Sequence, residues 1–216
     1  MPAHASSRHA PARIGVLASG GGSNLQAILE YFREHPGVAD VVLVASNKAE
    51  AGALDRARAA GIAADVVSPA DGAAMRALFD AHRVDLVVLA GYLKLLPTAV
   101  TRAWHGRVLN VHPALLPSFG GPGMYGRRVH AAVIASGALV SGATVHFVDE
   151  RYDRGPIAAQ ETVAVVPGDT PETLAARVLA LEHHLYPRVI ADVATGRIRL
   201  ADDGHVVGAL IGTASL

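Results

Sequence analysis

Asn110 and His112 are the residues whose types and spacing first indicate chemistry, because they stand two positions apart near the end of an apolar run. Side chains at that spacing on an extended chain point to the same face of a sheet. Pro113 cannot donate to a sheet ladder and favours an extended His112, so it predicts a strand that ends with both polar groups at its rim. In an open α/β sheet, ligands bind at that rim.

This pair suits a reaction in which a carbonyl oxygen gains negative charge. The amide N–H of Asn110 can donate to such an oxygen, and the imidazole of His112 can move protons near neutral pH. The spacing alone fits equally well a strand end at which both side chains only satisfy backbone groups of the next turn. The rest of the chain must therefore separate a catalytic from a structural interpretation.

The composition favours a globular protein that acts on small molecules. Of the 216 residues, 51% are hydrophobic and 18% charged, the formal net charge is zero, and cysteine is absent. A neutral chain without runs of like charge argues against nucleic-acid or membrane-surface binding, and the lack of cysteine excludes disulfides and thiolate chemistry. We expect a cytoplasmic protein, and the apolar run at 86–96 is too short to span a bilayer.

A glycine-rich turn, residues 19–24, separates a predicted strand, Arg13 to Ala18, from a helix. Ser23 and Gln26 predict a capping box at the helix start. Free helix amides beside glycine backbone make an anion site, and the absence of a Gly-x-Gly-x-x-Gly or Walker pattern favours a phosphate monoester over a dinucleotide or ATP. The same glycines also fit a plain tight turn packed between strand and helix.

Strands and helices alternate along the rest of the chain, which predicts a single-domain α/β fold with a Rossmann-like, mostly parallel sheet and helices on both faces. The loop at 91–97 follows a buried strand and can line a flat pocket, although Leu93 and Leu95 also fit a core. Residues 118–126 are rich in glycine and proline and predict a mobile loop beside the site.

The longest predicted helix begins at Thr170 and Pro171, with the threonine as its cap. Glu182 lies at the edge of its apolar stripe, where the carboxylate can reach a pocket. Pro187 predicts a kink. The stripe itself consists of Leu174, Val178, Leu181 and Leu185.

The predicted domain covers residues 13–200. Residues 1–12 lack an apolar core and predict a disordered tail, and residues 201–216 predict an extension of the same domain with a short hairpin around Asp203 and Gly204.

Taken together, these segments resemble the phosphoribosylglycinamide formyltransferase family, folate-dependent enzymes of purine synthesis that belong to a wider formyltransferase superfamily. The similarity spans about residues 13–200 and includes the superfamily's Asn-x-His-Pro motif at Asn110. The matching segments are Ser19-Gly20-Gly21-Gly22-Ser23-Asn24-Leu25-Gln26, Ser46-Asn47-Lys48, Leu89-Ala90-Gly91-Tyr92, Asn110-Val111-His112-Pro113-Ala114-Leu115-Leu116-Pro117, Val145-His146-Phe147-Val148, Asp153-Arg154-Gly155-Pro156 and Glu182-His183.

The resemblance implies direct transfer of a formyl group from the co-substrate 10-formyltetrahydrofolate to the amine of glycinamide ribonucleotide. It implies that Asn110 and His112 are catalytic, with Asp153 as the carboxylate partner that favours a protonated His112. His146 matches a supporting position beside Asp153, and it fits a buried strand histidine equally well. The implied binding residues are Gly22, Ser23 and Asn24 for the phosphate, Glu182 for the glycinamide end, and Leu93, Lys94, Leu95, Leu96, Asn110, Asp149 and Asp153 for the folate.

Two segments depart from the family pattern. Residues 120–128 are longer and richer in glycine than in many members, so we expect closure of this loop to differ. Between Ala64 and Asp85 the chain is shorter than in some relatives, which leaves Arg76 as the candidate for an arginine that holds the folate tail.

Three other functions compete with this interpretation. A methionyl-tRNA formyltransferase is disfavoured because the chain shows no carboxyl-terminal domain or basic surface, and a formyltetrahydrofolate hydrolase because it shows no amino-terminal regulatory domain. A non-catalytic folate or phosphosugar binding protein is disfavoured by the intact set of Asn110, His112 and Asp153.

No bound metal is expected, despite the 11 histidines. No His-Glu-x-x-His spacing occurs, and His183 and His184 must point to different sides of a helix. We expect small-molecule partners without nucleic acid or membrane, and a monomer or homodimer.

Overall fold

Strands and helices alternate along residues 10–213, the part of the chain that this computed structural model describes. The strands are β1 Ala12–Leu17, β2 Ala39–Ser46, β3 Ala63–Val66, β4 Leu86–Leu89, β5 Val108–His112, β6 Val140–Phe147, β7 Ile157–Ala164, β8 Arg199–Leu200, β9 Val206–Val207 and β10 Leu210–Thr213. The helices are α1 Ser23–Glu34, α2 Gly52–Ala59, α3 Gly72–Ala81, α4 Thr98–Ala103, α5 Arg127–Ala135 and α6 Pro171–Ala194.

Eight of these strands form one sheet in the order β10-β7-β6-β5-β4-β1-β2-β3, in which β6 runs against the other seven. Helices α1, α2, α5 and α6 bury apolar side chains against one face of the sheet, and α3 and α4 cover the other. The prediction of a Rossmann-like α/β fold with a mostly parallel sheet is confirmed.

The direction of strand order reverses between β1 and β4, which are neighbours in the sheet. Sheets of this kind bind ligands in the crevice outside the carboxyl ends of the strands at such a reversal. Two loops meet there: the N–H of Ser19 donates to the Gly91 carbonyl at 3.1 Å, and the N–H of Leu93 donates to the Ser19 hydroxyl at 3.1 Å. The glycine-rich turn is therefore tied to the loop that follows β4.

Strand β5 ends at His112, as predicted, and buried polar groups fix the turn after it. The Thr144 hydroxyl donates to the Ala114 carbonyl at 2.6 Å and accepts from the Leu116 N–H at 3.0 Å. The Gln160 amide donates to the Leu116 carbonyl at 2.8 Å. These contacts anchor the strand end from the neighbouring strands β6 and β7.

Helix α1 begins without the predicted capping box, so that prediction is wrong. Its N-cap is Gly22, which is left-handed with φ of 76°, and no side chain caps the helix. The Gln26 side chain instead contacts Glu30 and Arg56. Glycine is required at the cap because a Cβ there would lie 2.9 Å from Ala53. The first-turn amides are left without a side-chain acceptor.

Helix α6 has the predicted threonine cap and a buried apolar stripe. Pro187 lies inside it without ending it. Helix α4, a single short element after Pro97, was not predicted from the sequence. No helix among residues 10–213 is both long enough and apolar enough to cross a membrane.

The two ends of the predicted domain differ from expectation in detail. Strand β1 begins at Ala12, one residue before the predicted boundary, while residues 1–9 of the predicted tail lie outside the described part of the chain. The short hairpin predicted around Asp203 and Gly204 is confirmed as the antiparallel pairing of β8 with β9, and β10 after it pairs with β7. Residues 214–216 also lie outside the described range.

The Tyr186 side chain of α6 links the adjacent strands β4 and β5 near the site. Its fully buried hydroxyl lies 3.1 Å from the Leu89 carbonyl oxygen and 3.0 Å from that of Leu109. We expect Tyr186→Phe to lower the free energy of unfolding by about 1–3 kcal/mol, because two buried acceptors lose their shared donor. Urea denaturation measures this, with Tyr92→Phe as the matched control.

The Tyr92 hydroxyl is also buried but has no hydrogen-bond partner among the described residues. Its removal therefore should not lower stability. Equal losses in the two variants would contradict the structural role given to Tyr186.

Candidate active site

Asn110 and His112 line a cavity of about 270 Å³ at the carboxyl ends of the strands. Both side chains lie on the same face of β5, as their spacing predicts. The other predicted site residues that line this cavity are Asn24, Leu93, Lys94, Leu95, Leu96, His146, Asp153 and Glu182. The structure thus gathers residues that are far apart in the chain.

His112 is 3% exposed, and both ring nitrogens have neighbours. Its Nε2 lies 2.9 Å from the Phe119 carbonyl oxygen, and its Nδ1 lies 3.6 Å from Oδ2 of Asp153. A carbonyl oxygen can only accept, so we place the proton of the neutral ring on Nε2. The Nδ1 lone pair then faces the Asp153 side.

Asp153 favours the protonated form of His112, as the resemblance implies, but burial outweighs that effect in the free protein. Burial lowers the pKa of His112 below its ordinary value, and the opposing effects of the Asp153 carboxylate and the Phe119 carbonyl do not overcome it. Burial would cost an imidazolium more hydration free energy than its attraction to one carboxylate at 3.6 Å provides. His112 is therefore neutral near pH 7.

Asp153 is ionised although it is largely buried. Burial by itself would raise the pKa of this carboxyl, but its polar neighbours, among them the donating N–H of Gly121, bring it below its ordinary value. Its Oδ2 accepts from Gly121 at 2.9 Å, and its Oδ1 lies 3.7 Å from Nε2 of His146. The loop at 118–126 is thereby attached to the Asp153 carboxylate.

The backbone on both sides of His112 is strained. Phe119 and Asp153 have φ of 57° and 53°, in the left-handed region that non-glycine residues seldom adopt. Gly120 lies between them in space, and a Cβ there would come within 2.5 Å of Leu116 and 3.0 Å of Asp153. Such conformations cost of order 1 kcal/mol each and persist where contacts with the surrounding residues hold the backbone in place.

Glu182 and Asn24 form a buried pair on the wall near α1. The Asn24 amide donates to Glu182 Oε2 at 2.7 Å, and the two residues are 8% and 6% exposed. Burial raises the pKa of Glu182 to about 7, against the lowering effect of the Asn24 hydrogen bond. Its carboxyl group therefore changes charge close to neutral pH.

Most residues expected around the folate line the cavity, and Asp149 and the candidate Arg76 do not. Leu93 and Leu95 are 46% and 38% exposed, which rules out the core interpretation for them. Asp149 does not line the cavity, because its carboxylate accepts from the Arg151 N–H at 2.7 Å within its own loop. Arg76 is exposed on α3, away from the cavity lining.

Gly22 and Ser23 lie outside this cavity. Ser23 instead lines a shallow pocket on the outer side of α1, together with Arg56 and His183. The first turn of α1 therefore has the main cavity on the Asn24 side and this shallow pocket on the Ser23 side.

Several lining residues were not singled out from the sequence. Tyr92 lies beside the apolar wall, Tyr152 accepts from the Leu95 N–H at 3.0 Å, and Arg151 adds a cation at the mouth. Tyr152 and Arg151 belong to a polar loop without periodicity, so no pattern distinguishes them from solvated loop residues.

No group of three or more histidine and acidic side chains within residues 10–213 is arranged to hold a metal ion. His183 is half-buried whereas its neighbour His184 is exposed, so the two rings do not share one side of α6.

The raised pKa of Glu182 predicts a specific pH dependence of stability. Between its ordinary pKa and about 7 the folded protein retains a proton that the unfolded chain releases, so wild-type stability falls as pH rises through this window. Glu182→Gln removes this pH dependence, because glutamine carries no titrating proton. We expect the variant to gain stability relative to wild type by about 2–3 kcal/mol between pH 5 and pH 8, measured by urea denaturation.

The exposed Glu34, at the end of α1, provides the control. Its change to Gln should leave the pH profile of wild type unaltered. A stability difference between Glu182→Gln and wild type that is constant with pH would refute the raised pKa.

Comparison with known proteins gives a consistent result. The family model described as formyl transferase matches residues 12–190. The chloroplastic phosphoribosylglycinamide formyltransferase of Arabidopsis thaliana is 47% identical over 208 residues, covering 92% of this chain and 71% of the relative. The human trifunctional purine biosynthetic protein adenosine-3 is 38% identical over 210 residues, which is 94% of this chain but 20% of that longer protein.

Solved structures agree with this chain in fold. The phosphoribosylglycinamide formyltransferase of Anaplasma phagocytophilum superposes with a TM-score of 0.84 at 37% identity, over 94% of this chain and 99% of that one. A formyltetrahydrofolate deformylase from Pseudomonas syringae gives a TM-score of 0.82 at 26% identity and is covered over 66% of its length. The chain belongs to the phosphoribosylglycinamide formyltransferase family.

Proposed function

We propose that this protein transfers the formyl group of 10-formyltetrahydrofolate to the amine of glycinamide ribonucleotide in de novo purine biosynthesis. The observation that carries the proposal is the meeting of His112 Nδ1 and Asp153 Oδ2 at 3.6 Å beside the Asn110 amide in one cavity. This set supplies a proton acceptor, a charge to stabilise it and an oxyanion donor.

Because His112 is neutral, it first accepts a proton and only then donates one. As the substrate amine bonds to the formyl carbon, His112 accepts a proton from the amine nitrogen at Nδ1. Asp153 stabilises the resulting imidazolium, while an Asn110 N–H donates to the tetrahedral oxyanion. His112 then returns the proton to the folate nitrogen as its bond to the formyl carbon breaks, so no covalent enzyme intermediate is required.

The ribonucleotide phosphate is assigned to the start of α1, at Gly22, Ser23 and Asn24. The support is that these first-turn amides have no side-chain cap, and helix N-termini attract anions. Arg56 adds positive charge beside the turn, where its Nε donates to the Gly21 carbonyl at 2.7 Å. Glu182, deeper in the cavity, is assigned to the glycinamide end of the same substrate.

The folate is assigned to the wall made by Leu93, Lys94, Leu95 and Leu96, with the pterin towards Asn110 and Asp153. Asp149 can contribute only through its backbone, because its side chain is used within the loop. Lys94 and Arg151 line the cavity mouth, and we assign the carboxylates of the folate tail to them in place of Arg76.

Small molecules are the partners that this site requires. We retain a monomeric or homodimeric assembly and the absence of nucleic-acid binding as predictions. A cytoplasmic location also stays a prediction, since the plant relatives are chloroplastic.

Removal of either catalytic side chain should abolish most of the activity. We expect Asn110→Ala and His112→Ala each to lower the formyl-transfer rate by at least about 10²-fold, since one oxyanion donor or proton-transfer group is commonly worth that much. Steady-state absorbance assays measure the loss. His105→Ala, an exposed histidine after α4, is the control and should retain full activity; near-normal turnover of His112→Ala would rule the mechanism out.

Hydrolysis is the second candidate function, because the deformylase shares the fold at 26% identity. The same assay separates the two when glycinamide ribonucleotide is omitted. We expect turnover of 10-formyltetrahydrofolate only when that acceptor is present. Acceptor-independent release of formate at a comparable rate would identify a hydrolase instead.

A further inference from the structure

The cross-strand neighbour of Asn110 is a buried histidine. His146 of β6 pairs with Asn110 of β5 and is 2% exposed. Its Nε2 lies 3.1 Å from the Asn110 Nδ2, and its Nδ1 lies 2.9 Å from the Phe147 carbonyl oxygen. Both ring nitrogens of His146 are therefore used within the protein.

These two contacts fix the direction of each hydrogen bond. The Phe147 carbonyl can only accept, so Nδ1 of His146 carries a proton, and in the tautomer with that proton Nε2 offers a lone pair. A lone pair requires a donor opposite it, so the nitrogen of the Asn110 amide must face His146. With its amide reversed, Asn110 would place its oxygen against this lone pair.

We infer that His146 is a positioning residue that makes Asn110 present an N–H to the reacting formyl oxygen. One N–H of the Asn110 amide is bound to His146, which leaves the second free for the cavity. The reversed amide would offer an oxygen to a developing negative charge and repel it. This inference rests on the proposed function, in which Asn110 stabilises the oxyanion.

A contact between His146 and Asp153 is the competing arrangement. Their closest approach, Nε2 to Oδ1, is 3.7 Å, beyond hydrogen-bond length, whereas the Asn110 contact is 3.1 Å. The geometry therefore assigns His146 to the amide, with the carboxylate as a more distant neighbour.

A double-mutant cycle tests whether His146 acts through Asn110. We expect His146→Leu to lower the single-turnover rate by at least about tenfold in the wild-type background, with KM for both substrates little changed. In the Asn110→Ala background the same change should have less than about a twofold effect, because the amide it positions is already gone. An equal loss in both backgrounds would overturn the inference.

His146→Gln is the matched variant, because its side-chain oxygen can still accept from the Asn110 amide. We expect it to recover most of the rate lost in His146→Leu at similar urea stability. If His146→Leu does not fold, the glutamine variant decides alone: near wild-type transfer supports positioning by an acceptor, and a loss of tenfold or more contradicts it.

NMR of the free protein gives a second test that requires no substrate. The Asn110 side-chain amide resonance, identified by its disappearance in Asn110→Ala, should shift in His146→Leu and stay in place in His146→Gln. An unshifted resonance in His146→Leu would contradict the hydrogen bond. If Asn110→Ala alone leaves the rate unchanged, the proposed function of Asn110 fails; if it lowers the rate and the His146 effects simply add, only the positioning role fails.

Discussion

The burial of His112 beside Asp153 is the interaction on which the rest of this site depends. Water is withheld from the ring, so His112 stays neutral, while polar neighbours, among them the donating Gly121 N–H, keep Asp153 ionised. A neutral imidazole facing a carboxylate can take up a proton and is stabilised once it does so. Each polar atom in this buried site needs a hydrogen-bond or charge partner, since an unpaired buried charge would cost several kcal/mol.

The fold meets this requirement by fixing the strand end from several sides. Thr144 and Gln160 hold the turn after β5, and Phe119 and Asp153 adopt strained backbone conformations to reach His112. Helix α6 contributes twice from one face: Tyr186 links β4 to β5, and Glu182, one turn earlier, reaches the cavity. The support for the strands and the proposed contact with the ribonucleotide are thus parts of one helix.

The sequence predicts best what depends on local pattern. Pro113 marks the end of β5, the period of two places Asn110 and His112 on one face, and the leucine stripe of α6 is buried as expected. These features follow from backbone geometry and from apolar periodicity, which do not depend on distant residues. Asp153 was placed at the site by family resemblance, because nothing in its own loop indicates a catalytic carboxylate.

Features that arise from tertiary contacts could not be predicted in the same way. The protonation state of His112 depends on how deeply the folded chain buries it, and the Asn24–Glu182 pair joins residues 158 positions apart. The capping box at Ser23 failed because left-handed Gly22 packs against α2, a contact that the local sequence does not show. Arg151 and Tyr152 lie in a loop whose composition is the same whether or not it faces a cavity.

The most direct measurement is the single-turnover rate of formyl transfer by Asp153→Asn. The carboxamide keeps the size of the side chain and an oxygen that can accept from Gly121, but it has no charge with which to stabilise an imidazolium at His112. The account predicts a rate lower by about 10²-fold or more with an unchanged unfolding transition. A rate within a few-fold of wild type would show that the buried His112–Asp153 pair does not drive the reaction.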